Sequence, residues 1–169
     1  MSKKLITIMT PCYSEELNVR EIHRRVTAVA AQLPEYRFEH LFADNASKDD
    51  TIDVLREMAA EDPSVKVIVN ARNFGPDLSG MHAFLQAEGD AVGSVAADGQ
   101  DPSELLVEMI REWEKGFPIV AAIKNLSDES GLMYRVRTAY YRMMARLTNV
   151  EVLEHFTGFG LYDHSVGTV

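Results

Sequence analysis

Hydrophobic positions along the chain fall into two rhythms. Short apolar runs at Leu5 to Met9, Phe38 to Ala43, Val65 to Asn70, Ala91 to Ala96 and Pro118 to Ile123 have the length and continuity of buried strands. Between them, apolar residues recur at helical spacing. Leu17, Val19, Ile22, Val26, Val29, Ala30 and Leu33 predict a first helix capped by Ser14 and stopped before Pro34. Ser47 or Asp49 caps a second helix running through Ala60. A third runs from Asp77 to Glu88 and stops at Gly89, and a fourth from Ser103 to Lys115, ending at Gly116. Strands alternating with helices imply βαβ units, hence an α/β fold with a mostly parallel sheet flanked by helices. After Ile123 the rhythm changes. Lys124 to Gly131 is polar, Leu132 to Leu147 reads as a basic amphipathic helix, and Phe156 to Tyr162 reads as a strand or a strained turn.

Composition narrows the picture. With 169 residues, 46% of them hydrophobic, the chain can build one domain with a real core. A formal net charge of -9 argues against a nucleic-acid partner, which excess Lys and Arg would have to hold. Arg135, Arg137, Arg142 and Arg146 form a local basic patch against that background. Cys12 has no partner for an internal disulfide, so a reducing compartment is expected and the thiol reads as a small buried side chain. Neither a signal-peptide core nor a stretch of about 20 apolar residues is present. The expectation is a cytoplasmic protein, at most peripheral at the cytoplasmic face of a membrane.

Candidate chemistry collects at three strand ends. The first strand runs into Pro11-Cys12-Tyr13-Ser14-Glu15-Glu16, the second into Asp44-Asn45-Ala46-Ser47-Lys48-Asp49-Asp50-Thr51, and the fourth into Asp98-Gly99-Gln100-Asp101-Pro102. In open α/β sheets ligands sit beyond such carboxyl ends. Each segment has a plain structural reading as a turn or helix cap. Together they would make an acidic crevice, which a bound cation resolves. Asp98, with an amide oxygen at Gln100, offers the hard oxygen ligands that Mg2+ or Mn2+ prefers.

These segments, with Arg72-Asn73-Phe74-Gly75, stand in the order and spacing of family 2 glycosyltransferases, and the chain resembles the branch that contains polyprenyl-phosphate sugar transferases. Thr157-Gly158-Phe159-Gly160-Leu161-Tyr162-Asp163 is similar to a segment of bacterial members. The resemblance implies a Rossmann-like GT-A nucleotide-binding fold, with residues 1–123 as the nucleotide-sugar part and 124–169 as an incomplete acceptor side of one domain. It implies metal-dependent, inverting transfer from a nucleoside-diphosphate sugar to a polyprenyl phosphate or a cell-envelope glycan precursor. Residue by residue, it places Pro11, Tyr13, Glu15, Asp44 and Asp98 at the nucleotide, with the Asp44 carboxylate on the base. Asp98 and Gln100 fall at the metal, with Asp98 as the catalytic group.

Departures from the family pattern shape the alternatives. Ala96 stands where the first acidic residue of Asp-x-Asp is usual, Ser14 where Asn is common, and Gly158 where Asp often precedes Phe. No secure general base is visible, which suits an acceptor phosphate that is already ionised. Lys124, Arg135 and Arg137 would hold that phosphate by charge-assisted hydrogen bonds, unless they only solvate a helix face. A truncated, non-catalytic sugar-nucleotide-binding domain is the alternative that Ala96 and the end at Val169 support. A signalling domain phosphorylated on Asp44 or Asp98 ranks lower. His23, His40, His82, His155 and His164 show no paired metal spacing. Trp113, Met133, Met143 and Met144 read as core or interface.

Overall fold

The computed structural model describes residues 3–123 and 156–167. Six strands and four helices follow one another as β1 (Leu5–Cys12), α1 (Val19–Ala30), β2 (Arg37–Asp44), α2 (Thr51–Glu61), β3 (Val65–Val69), α3 (Pro76–Gln86), β4 (Ala91–Ser94), α4 (Leu105–Glu114), β5 (Ile119–Ile123) and β6 (Phe156–Asp163), with a short 3-10 turn at His164–Gly167. The sheet order is β3-β2-β1-β4-β6-β5. β1 pairs in parallel with both β2 and β4, β3 pairs in parallel with β2, and β6 runs antiparallel to β4. The mostly parallel α/β sheet expected from the sequence is therefore present. Chain order turns back between β1 and β4, the position at which such sheets open a crevice.

Strand alternation assigns the two faces. Met9, Leu41, Ala43 and Val92 pack on one face with Ala83 and Ala87 from α3 and the residue that follows it. Ile8, in register with His40, points to the other face, where His40 meets His23 of α1. Gly93 belongs to that second face: a Cβ there would come within 3.2 Å of Leu106 of α4. Gly89 marks the tightest approach of the chain to the sheet. A Cβ on it would lie 2.6 Å from the Thr7 backbone nitrogen, and its own N–H donates to Thr7 Oγ1 at 3.0 Å.

Helix starts differ most from the sequence reading. α1 begins at Val19, not after Ser14, because the residues between are drawn sideways onto the second strand-end loop. Ser14 N–H donates to Ser47 Oγ, Glu15 N–H to Thr51 Oγ1 and Glu16 N–H to Asp49 Oδ2. Leu17 consequently lies 85% exposed, while Val19, Ile22, Val26, Val29 and Leu33 are buried as the period predicts. Asp49 does serve the start of α2, accepting from the Thr51 N–H and hydroxyl. α3 opens with Pro76 at its first turn, where a missing N–H costs nothing. Ser103 does not cap α4. It is fully buried, and its Oγ has no partner among the described residues. The predicted helix at 132–147 and the methionines within it lie outside the described residues.

Histidines far apart in sequence meet beneath the sheet. His40 is buried, stacked on Phe42, and bonded through Nε2 to Thr10 Oγ1 at 2.9 Å and through Nδ1 to His23 Nδ1 at 3.0 Å. His23 Nε2 in turn faces Asp62 at 3.3 Å. Burial, reinforced by His23 and opposed by Asp62, holds the His40 pKa well below 6.5. The unfolded chain binds a proton at about 6.5 that the folded chain refuses, so this contribution is present above that pH and lost as pH falls below it. Stability should decline on acidification below about 6.5, with a slope approaching about 1.4 kcal/mol per pH unit from this group. Urea unfolding of His40→Gln across pH 7.5 to 5 should show a flatter dependence than the parent protein.

Candidate donor-binding site

A cavity of about 310 Å³ opens at the carboxyl ends of β1 and β4. Its walls are Pro11, Cys12, Tyr13 and Glu15 from the first strand end, Ala96, Ala97 and Asp98 from the fourth, and Asn45, Asn73, Pro76 and Ser79 from the segments behind β2 and β3. Register brings these loops together: Cys12 pairs with Asp44, Met9 with Ser94, and the Asn45 N–H then donates to the Cys12 carbonyl at 2.9 Å.

Asp98 sits exposed on a turn that the loop itself shapes. Its Oδ1 accepts the Gln100 N–H at 3.0 Å, Gly99 takes φ of 69° behind it, and the buried Asp101 accepts the Ala96 N–H across the loop. Arg25 on α1 reaches the Gly99 carbonyl at 3.4 Å from outside. Gln100 is exposed and does not line the cavity.

Asp44 is placed differently from a ligand-facing carboxylate. It is fully buried, and its two oxygens accept the Ser47 N–H and hydroxyl. This bond closes the turn in which Ala46 adopts a positive φ of 61°. Pro11, Tyr13, Glu15 and Asp98 thus share one cavity, whereas Asp44 supports its floor. Lys124, Arg135 and Arg137 lie outside the described residues.

The acidity expected of the crevice registers on Cys12. Burial, and after it Asp44, Glu15 and Asp49, push the thiol up to about 12, so it remains protonated at neutral pH. A cation would meet one carboxylate on the fourth-strand turn, because Ala96 supplies none. Among the described residues no group of three or more His, Cys, Asp or Glu side chains is arranged to hold a metal. Such a donor set suits a hard ion that keeps its water and shares a ligand's phosphate oxygens, as Mg2+ does, and not an all-protein cage.

An amide network, invisible in the sequence, fastens the wall. Asn45 Nδ2 donates to Asn73 Oδ1 at 3.0 Å and to the Gly75 carbonyl at 3.2 Å, while its Oδ1 accepts the Phe74 N–H and Asn70 Nδ2. Asn70 continues the chain to Ser79 Oγ at 2.9 Å. The only signal in the sequence was the presence of asparagines in two of the motif segments.

The whole arrangement has known counterparts. The model for Glycosyl transferase family 2 matches residues 7–166. This chain belongs to that family. It is 35% identical over 162 residues to the uncharacterized glycosyltransferase YkcC of Bacillus subtilis, covering 95% of this chain and 50% of that one. It is 32% identical over 163 residues to an undecaprenyl-phosphate 4-deoxy-4-formamido-L-arabinose transferase of Pseudomonas syringae, covering 95% and 45%. The chain thus spans about half the length of these curated relatives. Among solved structures, glucosyl-3-phosphoglycerate synthase of Mycobacterium tuberculosis, crystallised with Mn2+, uridine diphosphate and phosphoglyceric acid, superposes with a TM-score of 0.64 at 17% identity, covering 96% of this chain and 57% of that one. The sheet is that of GT-A glycosyltransferases.

Asn45 supplies a direct stability test. A carboxylate there would face two oxygens, Asn73 Oδ1 and the Gly75 carbonyl, with no proton to give either. Asn45→Asp should destabilise the fold by about 2 kcal/mol, read as a lower urea midpoint at neutral pH. The loss should shrink as acidification protonates the new carboxyl.

Proposed function

We propose that the cavity binds the diphosphate of a nucleoside-diphosphate sugar, and that the protein transfers the sugar with inversion to a polyprenyl phosphate. The observation that carries this reading is the placement of Asp98: an exposed carboxylate on a glycine turn at the mouth of a cavity formed by β1 and β4. Similar proteins support it, one an undecaprenyl-phosphate 4-deoxy-4-formamido-L-arabinose transferase and one crystallised with Mn2+ and uridine diphosphate.

In this reading Asp98 would hold the cation, with the Gln100 side chain as a further ligand. Mg2+ or Mn2+, if held there, would supply positive charge to offset that of a departing diphosphate. Pro11, Tyr13 and Glu15 form the nucleotide wall, and Asp44 contributes by closing the turn that presents Asn45. The acceptor phosphate, already ionised, needs no protein base. Lys124, Arg135 and Arg137 would hold it. Among the described residues no helix is long and apolar enough to cross a membrane, so contact with a lipid acceptor would be made at a membrane surface or through other chain segments.

One observation favours a second reading. With Ala96 in place, the fourth-strand turn gives the cation a single carboxylate, as in a domain that binds donor without turning it over. Calorimetry with UDP- and GDP-sugars, with and without Mn2+, run beside a donor-turnover assay, separates the two. Transfer requires cation-dependent binding and turnover. Asp98→Asn preserves the acceptor for Gln100 N–H while removing the charge, and should lower turnover on the order of 10²-fold. Full turnover with unchanged Mn2+ dependence in that variant would overturn the catalytic assignment. Ala96→Asp should tighten the apparent Mn2+ requirement.

A further inference from the structure

An oxygen-rich anionic ligand in this cavity needs hydrogen-bond donors, and most of the side chains lining it cannot provide them. Pro11, Pro76, Ala96 and Ala97 have no side-chain donor, and Glu15 and Asp98 are acceptors. Both hydrogen bonds from Asn45 Nδ2 run inward, to Asn73 and Gly75, and Ser79 is buried against Asn70. Cys12 carries a protonated but buried thiol, a weak donor. Tyr13 and Asn73 remain.

Asn73 is the better defined of the two. Backbone N–H groups can only donate, so two of them fix the amide orientations. The Phe74 N–H demands that the atom facing it on Asn45 be oxygen, which turns Asn45 Nδ2 toward Asn73. The Gly75 N–H, at 2.8 Å, demands that the inward atom of Asn73 be oxygen as well. Asn73 Oδ1 therefore accepts two bonds from within the loop. The Nδ2 group, on the opposite side of the same rigid amide, has no partner among the described residues.

We propose that Asn73 is a donor-binding residue, its Nδ2 donating a hydrogen bond to an acceptor oxygen of the nucleoside diphosphate, with Asn45 as the positioning residue that holds it so. The inference rests on the reading of the cavity as the donor site. Its energetic logic is preorganisation: the amide is already oriented before ligand arrives, so binding does not have to order it. The positive φ of 84° at Gly75 helps to place the carbonyl that accepts from Asn45 Nδ2, a backbone conformation that glycine adopts without strain.

The test uses the chain as described, with UDP and GDP as probes in the presence of Mn2+, titrated by calorimetry into the parent protein, Asn73→Asp and Asn73→Ala. Asn73→Asp keeps both inward acceptor bonds and replaces the outward donor by an acceptor. Asn73→Ala removes the donor without adding charge. Both variants should bind the preferred nucleotide roughly tenfold more weakly, the effect of one lost hydrogen bond to a charged or polar oxygen. Melting temperatures are measured in parallel and titrations made below each transition, so a loosened fold registers as stability and not as affinity. Parent-like affinity in both variants overturns the assignment while leaving the donor site standing. Weakening confined to Asn73→Asp would be charge repulsion with Glu15 and Asp98, and also overturns it. Absence of nucleotide binding by the parent protein overturns the reading of the cavity and this inference with it.

Discussion

Pairing of β1 on both of its edges is the constraint from which the site follows. A central parallel strand has little freedom to slip, since a shift of one residue would exchange the side chains packed on its two buried faces. With Cys12 level with Asp44 and Met9 level with Ser94, three loops must leave the sheet side by side. The acidic segments are then neighbours whatever their separation in sequence. Their negative charge adds to burial in keeping the thiol of Cys12 protonated.

Two kinds of polar group share the work at this end of the sheet. Asp44 and Asp101 are buried carboxylates that accept from nearby backbone N–H groups, and they shape turns without meeting solvent. Asn45 and Asn70 are amides that donate and accept at once, so they can chain loops together where a carboxylate would leave oxygens facing one another. Shape is thus set largely by residues below the surface, leaving Asp98, Glu15, Tyr13 and Asn73 along the cavity wall.

What could be read from sequence was whatever depends on short-range pattern. The strands, the four described helices and the buried face of α1 follow from apolar period, and the strand-end segments announced themselves by composition. The start of α1 departs from the local pattern because Ser14 is a competent cap in isolation; bonds to Ser47, Thr51 and Asp49, all more than thirty residues away, outcompete that preference. Ser103 failed in the opposite way, its hydroxyl buried by the packing of α4 before it could serve a helix end. The contact of His23 with His40, and the amide network around Asn45, join residues through tertiary approach alone, and no periodicity carries them. The sequence singles out Asp44 but not its direction, since only the loop's fold decides whether a carboxylate faces in or out.

The insertion of β6 between β4 and β5 has a consequence for the order in which the protein can be built. Until Gly160 to Asp163 leave the ribosome, β4 presents an open edge, and β5, though already synthesised, has no neighbouring strand in this sheet to join. Unpaired edges recruit other chains. The free edge of β4 and the whole of β5 therefore stay unpaired within this sheet while residues 124–155 are synthesised.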